Sequence, residues 1–192
     1  MIQMPRDHAF SSETGAGPNR NVELKASLDD LGEARELARK LDANLASVER
    51  QRDRYFRSPV GRLKVRDIDE RETWLIWYVR PDEAGEKTSR YWLRPIADPE
   101  RGLRILEHGL GLEIVVSKCR EVWLWRNVRI HLDQVEGLGD FIEFEAVLSP
   151  DQTEAEGKEL LVKLRDWFGI TEASLLKSSY RELLSQRTGV HL

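Results

Sequence analysis

Two periods alternate along this chain. In "RNVELKA" the residues Val22, Leu24 and Ala26 stand two apart, with Asn21, Glu23 and Lys25 between them. Side chains of a strand point to opposite faces in turn, so one face is apolar and the other carries an amide, an acid and a base. The next stretch, "LDDLGEARELARKLDANLA", changes to helical spacing. Leu31, Ala34, Ala38, Leu41 and Leu45 form one stripe, and Asp29 or Asp30 is placed to cap its start. A second helix is expected from Asp98, as cap, through Pro99 to about His108. Two more are expected near the end, in "TEAEGKELLVKLRDWFG" and "TEASLLKSSYRELLSQR", separated at Gly169.

Strand-like runs fill the interval: 54–57, 62–67, 73–80, 88–94, 112–119, 121–125, 127–135 and 140–148. Strands and helices do not alternate regularly, and several runs are close enough to form hairpins, as at "VRPDEAGEKTSRY". This predicts an antiparallel α+β domain or a barrel, not a doubly wound parallel sheet. No internal repeat is visible. Residues 1–19 are polar and aperiodic and read as a mobile tail, leaving one domain over 20–192.

Composition narrows the class. With 192 residues, 40% hydrophobic and 33% charged, the chain is long enough for a sizeable core and too polar to span a membrane. The net charge of −4 gives no general attraction to nucleic acid or to anionic lipid. Cys119 is the single cysteine, which excludes an intrachain disulfide and a cysteine-based zinc site and fits a reducing cytoplasm. The first residues lack the apolar stretch of a secretory signal, again pointing to the cytoplasm. Cys119 alternates with Lys118 and Arg120 and is expected to be a small buried hydrophobe. The six tryptophans are expected to be packing residues. "VEGLGD" lacks the spacing of a phosphate loop and reads as a bend.

The charged parity recurs on other strands. Arg62, Lys64 and Arg66 share a face, with Leu63 and Val65 behind them. Lys118 and Arg120 share one, as do Glu143 and Glu145, the latter backed by Ile142, Phe144, Ala146 and Leu148. Tyr78 pairs in parity with Arg80, and His131 with Asp133, beside which His131 is expected to be an orienting residue. A solvated sheet face would show this alternation, and so would the lining of a barrel packed from outside. Like charges two residues apart repel, and here bases and acids lie on separate strands instead of being interspersed. A concave site rich in Arg and Lys suits a polyanion. Acids in the same cavity are compatible with that polyanion when a divalent cation lies between them, since Mg²⁺ is held by a few carboxylates together with substrate phosphates.

These residues resemble the CYTH family, the triphosphate tunnel metalloenzymes that include class IV adenylate cyclases and thiamine triphosphatases. "NVELK" is similar to the family's N-terminal Glu-x-Glu-x-Lys; "QRDRYF", "GRLKVR", "LIWYVRPD", "KTSRY", "SKCR", "RIHLDQVEGLGDFIEFE" and "SYRELL" follow in the order of the cyclase-like branch. The resemblance implies an eight-stranded antiparallel β-barrel tunnel with helices packed outside. It assigns Glu23, Asp133, Glu143 and Glu145 to a divalent metal, Mg²⁺ or Mn²⁺. It assigns Lys25, Arg62, Lys64, Arg66, Arg80, Lys118 and Arg120 to the triphosphate, with Lys25 and Arg66 as catalytic cations. The implied substrate is ATP, thiamine triphosphate or inorganic triphosphate, with no nucleic acid or membrane partner, in a monomer or homodimer. Hydrolysis asks least of the site, needing an aligned water and no adenine pocket; cyclisation of ATP and binding without turnover are the alternatives. Asn21 stands where the family has its first glutamate, so one tightly held metal is expected, through Glu23 and the Glu143/Glu145 pair.

Overall fold

The structure is a computed structural model that describes residues 18–82 and 84–190. The expected mobile tail lies almost wholly outside these residues, as do His8 and His191. The chain begins with β1 (Asn19–Ser27), then α1 (Leu31–Lys40), β2 (Asn44–Phe56), β3 (Arg62–Ile68), β4 (Glu72–Val79) and β5 (Lys87–Pro95). It continues with α2 (Pro99–Leu110), β6 (Leu112–Trp125), β7 (Val128–Val135), β8 (Gly139–Leu148), α3 (Glu154–Trp167) and α4 (Tyr180–Thr188). The strands close into a barrel in the order β1-β5-β4-β3-β2-β6-β7-β8, with β8 returning to β1, and every pairing is antiparallel. A closed barrel leaves no strand edge unpaired.

The apolar core lies outside the barrel. Val22, Leu24 and Ala26 of β1, Ile130 and Leu132 of β7, and Ile142, Phe144 and Ala146 of β8 pack against Ala34 and Ala38 of α1 and Leu161 and Leu164 of α3. Once that parity is turned outward, the alternate residues have nowhere to go but the interior. Gly157 shows how closely α3 sits: a Cβ there would lie 2.9 Å from Val22 Cγ2, so the helix tolerates a residue of poor helical propensity. The bend at "VEGLGD" is the β7–β8 turn, with Gly137 and Gly139 at positive φ.

Several expectations are corrected. The first helix does not run through Leu45. It ends at Lys40, Asp42 takes a positive φ of 57°, and the chain enters β2 at Asn44, leaving Leu45 exposed. Runs 112–119 and 121–125 are one strand, because Lys118, Arg120 and Val122 keep an unbroken inward parity. The last helix begins only at Tyr180. Before it, Leu175 forms a bridge with Ala26 and the Leu176 N–H donates to the Lys25 carbonyl at 2.9 Å. Cys119 is exposed, since it points outward from β6. Trp77 and Trp92 pack on one another, centroids 4.7 Å apart, on the outward parity of β4 and β5.

Segment 175–184 closes one mouth of the barrel, the end where β1, β2 and β7 finish and β3, β6 and β8 begin. Besides its contacts with β1, Arg181 pairs with Glu113 at 2.6 Å and Tyr180 packs on Phe141 with centroids 5.0 Å apart. Tyr55, Ile114, Val116 and Val135 complete an apolar stopper there.

Candidate functional site

The inward parity of the barrel is almost wholly polar. Lys25, Lys64, Arg66, Arg80, Lys118, Arg120, Glu23, Glu143 and Glu145 all line a single cavity of about 110 Å³, and all but Glu145 are among the buried charged residues. Register explains the grouping. Across β1 and β8, Glu23 faces Glu145 and Lys25 faces Glu143; across β7 and β8, His131 faces Glu143 and Arg129 faces Glu145. Glu23, Glu143 and Glu145 therefore gather on β1 and β8, while the bases of β3 and β6 flank β2, whose own Glu49 also lines the cavity.

The bases and acids hold one another. Arg80 donates to Glu23 at 2.5 Å, and Lys25 lies 2.9 Å from Glu143. Arg120 grips both oxygens of Asp133 at 2.6 Å and reaches Glu143 at 2.7 Å. Arg66 grips both oxygens of Asp53 at 2.7 Å, and Lys64 donates to the same carboxylate at 2.8 Å. Lys118 is less tightly held, 3.9 Å from both Asp53 and Asp133. Arg62 sits at the closed mouth, bound to Asp82 at 2.6 Å and to Glu182 at 3.1 Å.

The charges shift accordingly. Burial pulls the Lys64 ammonium down to about 8, with Arg66 beside it working in the same direction and Asp53 against. Burial and the neighbouring Arg120 drive Lys118 well below the usual lysine range. Burial, reinforced by Glu143 and Glu145, raises the Glu23 carboxyl despite Arg80. Burial opposes ionisation of Glu143 too, but Lys25, His131 and Arg120 outweigh it and hold that carboxyl well below the ordinary range. Like charges thus lie beside one another in the buried interior, Arg66 next to Lys64 and Glu143 and Glu145 next to Glu23.

Asp133 and Asp53 do not line the cavity. Asp133 is fully buried and receives a further hydrogen bond of 2.7 Å from the Tyr180 hydroxyl. His131 turns to Glu143 and Glu145, not to Asp133 on its own strand: its Nδ1 lies 3.5 and 3.9 Å from their oxygens. One ligand atom from each of His131, Glu143 and Glu145 falls within 4.8 Å of the others, a group able to hold a metal ion. Asn21 Oδ1 and His131 Nδ1 line the same cavity, buried and without a hydrogen-bond partner, and a cation held by His131, Glu143 and Glu145 would satisfy the histidine nitrogen. The donor set thus fits a divalent ion.

Sequence reasoning left out several interior residues. Glu49, Gln51, Asp53 and Tyr55 point inward from β2, which was expected to begin only at residue 54. Lys87, opposite Glu23 across β1 and β5, is buried in the tunnel with its ammonium pulled down to about 8 by burial and Arg80, and donates to the Lys177 carbonyl at 3.2 Å. Its signal was the parity it shares with Ser89 and Tyr91. Tyr180 also lines the cavity, with its ring 3.7 Å from Lys25 Nζ.

The CYTH domain profile matches residues 19–180. The chain belongs to the CYTH family. This CYTH barrel is 25% identical over 171 residues to a Methanocaldococcus jannaschii protein named a putative adenylate cyclase, covering 84% of this chain and 97% of that one. Among solved structures, the PH1012 protein of Pyrococcus horikoshii superposes with a TM-score of 0.76 at 24% identity, over 85% of this chain and 98% of that chain. A Hippeastrum protein described as a putative adenylyl cyclase with a dominant triphosphatase activity superposes with a TM-score of 0.61 at 19% identity, over 90% of this chain and 97% of that chain. No helix among the described residues is long and apolar enough to cross a membrane.

Proposed function

We propose that this CYTH barrel is a divalent-metal-dependent enzyme that binds and cleaves a triphosphate inside its tunnel. The observation that supports this most is the segregation of charge within one closed barrel: Glu23, Glu143 and Glu145 on adjacent strands β1 and β8, and Lys64, Arg66, Lys118 and Arg120 on β3 and β6 across β2. Glu23, Glu143 and Glu145, joined by His131, would hold Mg²⁺ or Mn²⁺, which supplies positive charge against phosphate oxygens. Neutralising those acids frees their present partners. Lys25 and Arg80, now paired with Glu143 and Glu23, would then be free to bind the phosphate chain through charge-assisted hydrogen bonds. Asp53 and Asp133, wrapped by Arg66, Lys64 and Arg120, stay as counter-ions that fix those cations in place. Asp133 is accordingly left out of the metal set. Lys25 and Arg66 are assigned to the charge that develops on the transferring group.

Two reactions fit the same tunnel. In hydrolysis a water attacks the terminal phosphorus; in cyclisation the ribose 3′-oxygen attacks the α-phosphorus and pyrophosphate leaves. Hydrolysis is favoured because it requires only an aligned water. The name carried by the Methanocaldococcus jannaschii relative supports cyclisation as the second reading. Asn21, which brings an amide where a carboxylate would add charge, supports a third: binding without turnover. Product analysis with ATP and Mg²⁺ or Mn²⁺ separates them. Orthophosphate with ADP indicates hydrolysis, pyrophosphate with cyclic AMP indicates cyclisation, and ligand-induced stabilisation with no product from ATP, thiamine triphosphate or tripolyphosphate leaves a binding protein.

A further inference from the structure

The inward wall changes character along the barrel. Counted from the stopped mouth outward, the inward positions of β3 are Arg62, Lys64, Arg66 and then Ile68. Those of β6 run from Val116 in the stopper through Lys118 and Arg120 to Val122. On the β4 side Arg80 is followed by Tyr78 and Ile76. Each run of cations therefore ends in an aliphatic side chain, and the belt able to grip phosphate is short. Arg129 of β7 lies further out, and it is paired with Glu145 at 3.6 Å. Glu49 stands at the outer end of this belt. Tyr55, Asp53, Gln51 and Glu49 are successive inward positions of β2, roughly 7 Å apart along the strand, and Glu49 faces Arg120 across the β2–β6 pairing.

Glu49 differs from the other acids of the cavity. Glu23 is paired with Arg80, Glu143 with Lys25 and Arg120, and Glu145 with Arg129. Glu49 is buried on the same wall, yet its oxygens accept hydrogen bonds from neutral groups, the Ser47 hydroxyl and the Gln51 amide, each at 2.6 Å. Arg120, its neighbour across the strands, is turned away to Asp133 and Glu143. Among the described residues no lysine, arginine or histidine is paired with Glu49. Gln51 donates its amide N–H to Glu49, and its Oε1 is buried without a partner. The wall thus offers two acceptors and one unmatched negative charge just where the cations stop. A phosphate oxygen is itself a charged acceptor, so this pair repels it and accommodates a hydrogen-bond donor instead.

We infer that Glu49, with Gln51 beside it, sets the outer end of the phosphate run, so that the tunnel takes three phosphates in a row and turns away a fourth. Glu49 is then a specificity residue against longer polyphosphates. The inference rests on the reading of the tunnel as a triphosphate site. Calorimetric binding of tripolyphosphate and tetrapolyphosphate at fixed free Mg²⁺ tests it, on the natural protein, Glu49→Gln and Glu49→Asp. Charge alone would make the longer chain bind more tightly to a cationic tunnel; the expected result is that the natural protein binds it no more tightly than tripolyphosphate. Glu49→Gln removes the charge at nearly constant shape and is expected to raise the ratio of tetrapolyphosphate to tripolyphosphate affinity by roughly threefold to thirtyfold. Glu49→Asp keeps the charge and should leave that ratio within about twofold of the natural one. Tripolyphosphate binding retained by the variants shows that they are folded. An unmoved ratio in Glu49→Gln, an equal rise in Glu49→Asp, or tighter binding of tetrapolyphosphate than tripolyphosphate by the natural protein would overturn the role of Glu49. Failure of the natural protein to bind either chain would instead remove the triphosphate reading beneath it.

Discussion

Asp53 holds together three buried cations, and replacing it by asparagine shows what the tunnel's charges cost when no ligand is present. The carboxylate is 1% exposed; it takes two hydrogen bonds from Arg66 and one from Lys64, with Lys118 at 3.9 Å. Removing one partner of a buried ion pair costs about 3–5 kcal/mol, because the other charge stays buried and unmatched. Lys64 is already drawn down to about 8 and can shed its proton, whereas Arg66 cannot. The loss therefore falls toward the lower end, about 3 kcal/mol. At roughly 2–4 °C per kcal/mol for a chain of this length, Tm drops by about 6–12 °C. Tripolyphosphate brings the negative charge that Asp53 no longer supplies, so its stabilising effect is larger in Asp53→Asn than in the natural protein. Thermal unfolding followed by circular dichroism, with and without tripolyphosphate, measures both quantities. The acid limb gives a second check. Burial opposes ionisation of Asp53, but Arg66, Lys64 and Lys118 hold its folded-state pKa well below the unfolded one. Its contribution is therefore full above the unfolded value of about 3.9 and is lost as pH falls toward the folded one, a dependence that Asp53→Asn lacks. An unchanged Tm, or equal stabilisation of both proteins by tripolyphosphate, would refute this account of the interior.

Three further outcomes are expected. Asn21→Glu places a carboxylate beside the buried acids and should raise Mn²⁺ affinity; indistinguishable Mn²⁺ titrations of the two proteins would count against a metal at this end of the tunnel. Lys64 has a folded pKa below its unfolded one, so its burial opposes folding at neutral pH and that penalty eases as pH rises from about 8 toward about 10.4. Tripolyphosphate prefers the charged lysine, so its affinity should fall above pH 8 and binding there should take up protons, visible as a buffer-dependent calorimetric heat; heats that match in every buffer would contradict it. Tyr180→Phe keeps the ring under Lys25 but removes the hydrogen bond to Asp133, with an expected cost of roughly 1–3 kcal/mol and weaker tripolyphosphate binding, whereas Tyr180→Leu should lose the cation contact as well. Equal binding by both variants and the natural protein would show that the stopper does not position the cations.

Strands that separate apolar from charged residues were legible from the chain alone: β1 over residues 21–26, β3 over 62–66 and β8 over 142–146 each carry a two-residue period. The opening stretch of β2 was not. Arg50, Arg52 and Arg54 face outward while Glu49, Gln51 and Asp53 face inward, so both faces are polar and no apolar alternation marks the strand. The last helix was drawn too long because Leu175 and Leu176 have helical spacing with the leucines beyond, yet they are spent on bridging the barrel mouth. Parity says which way a side chain points and nothing of what covers that side. Cys119 faces outward as expected but is left exposed. Partner choice across strands was equally out of reach: His131 meets Glu143 through β7–β8 register, and Tyr180 meets Asp133 across 47 positions.

The most direct test is a titration of tripolyphosphate at a series of Mn²⁺ concentrations, on the natural protein and on Glu143→Ala. If the acids of β1 and β8 hold a metal that releases Lys25 and Arg80 to the phosphates, affinity climbs with Mn²⁺ in the natural protein and stays flat in the variant. The same climb in both proteins, or no binding of tripolyphosphate at any Mn²⁺ concentration, would contradict the central claim that this tunnel is a metal-dependent triphosphate site.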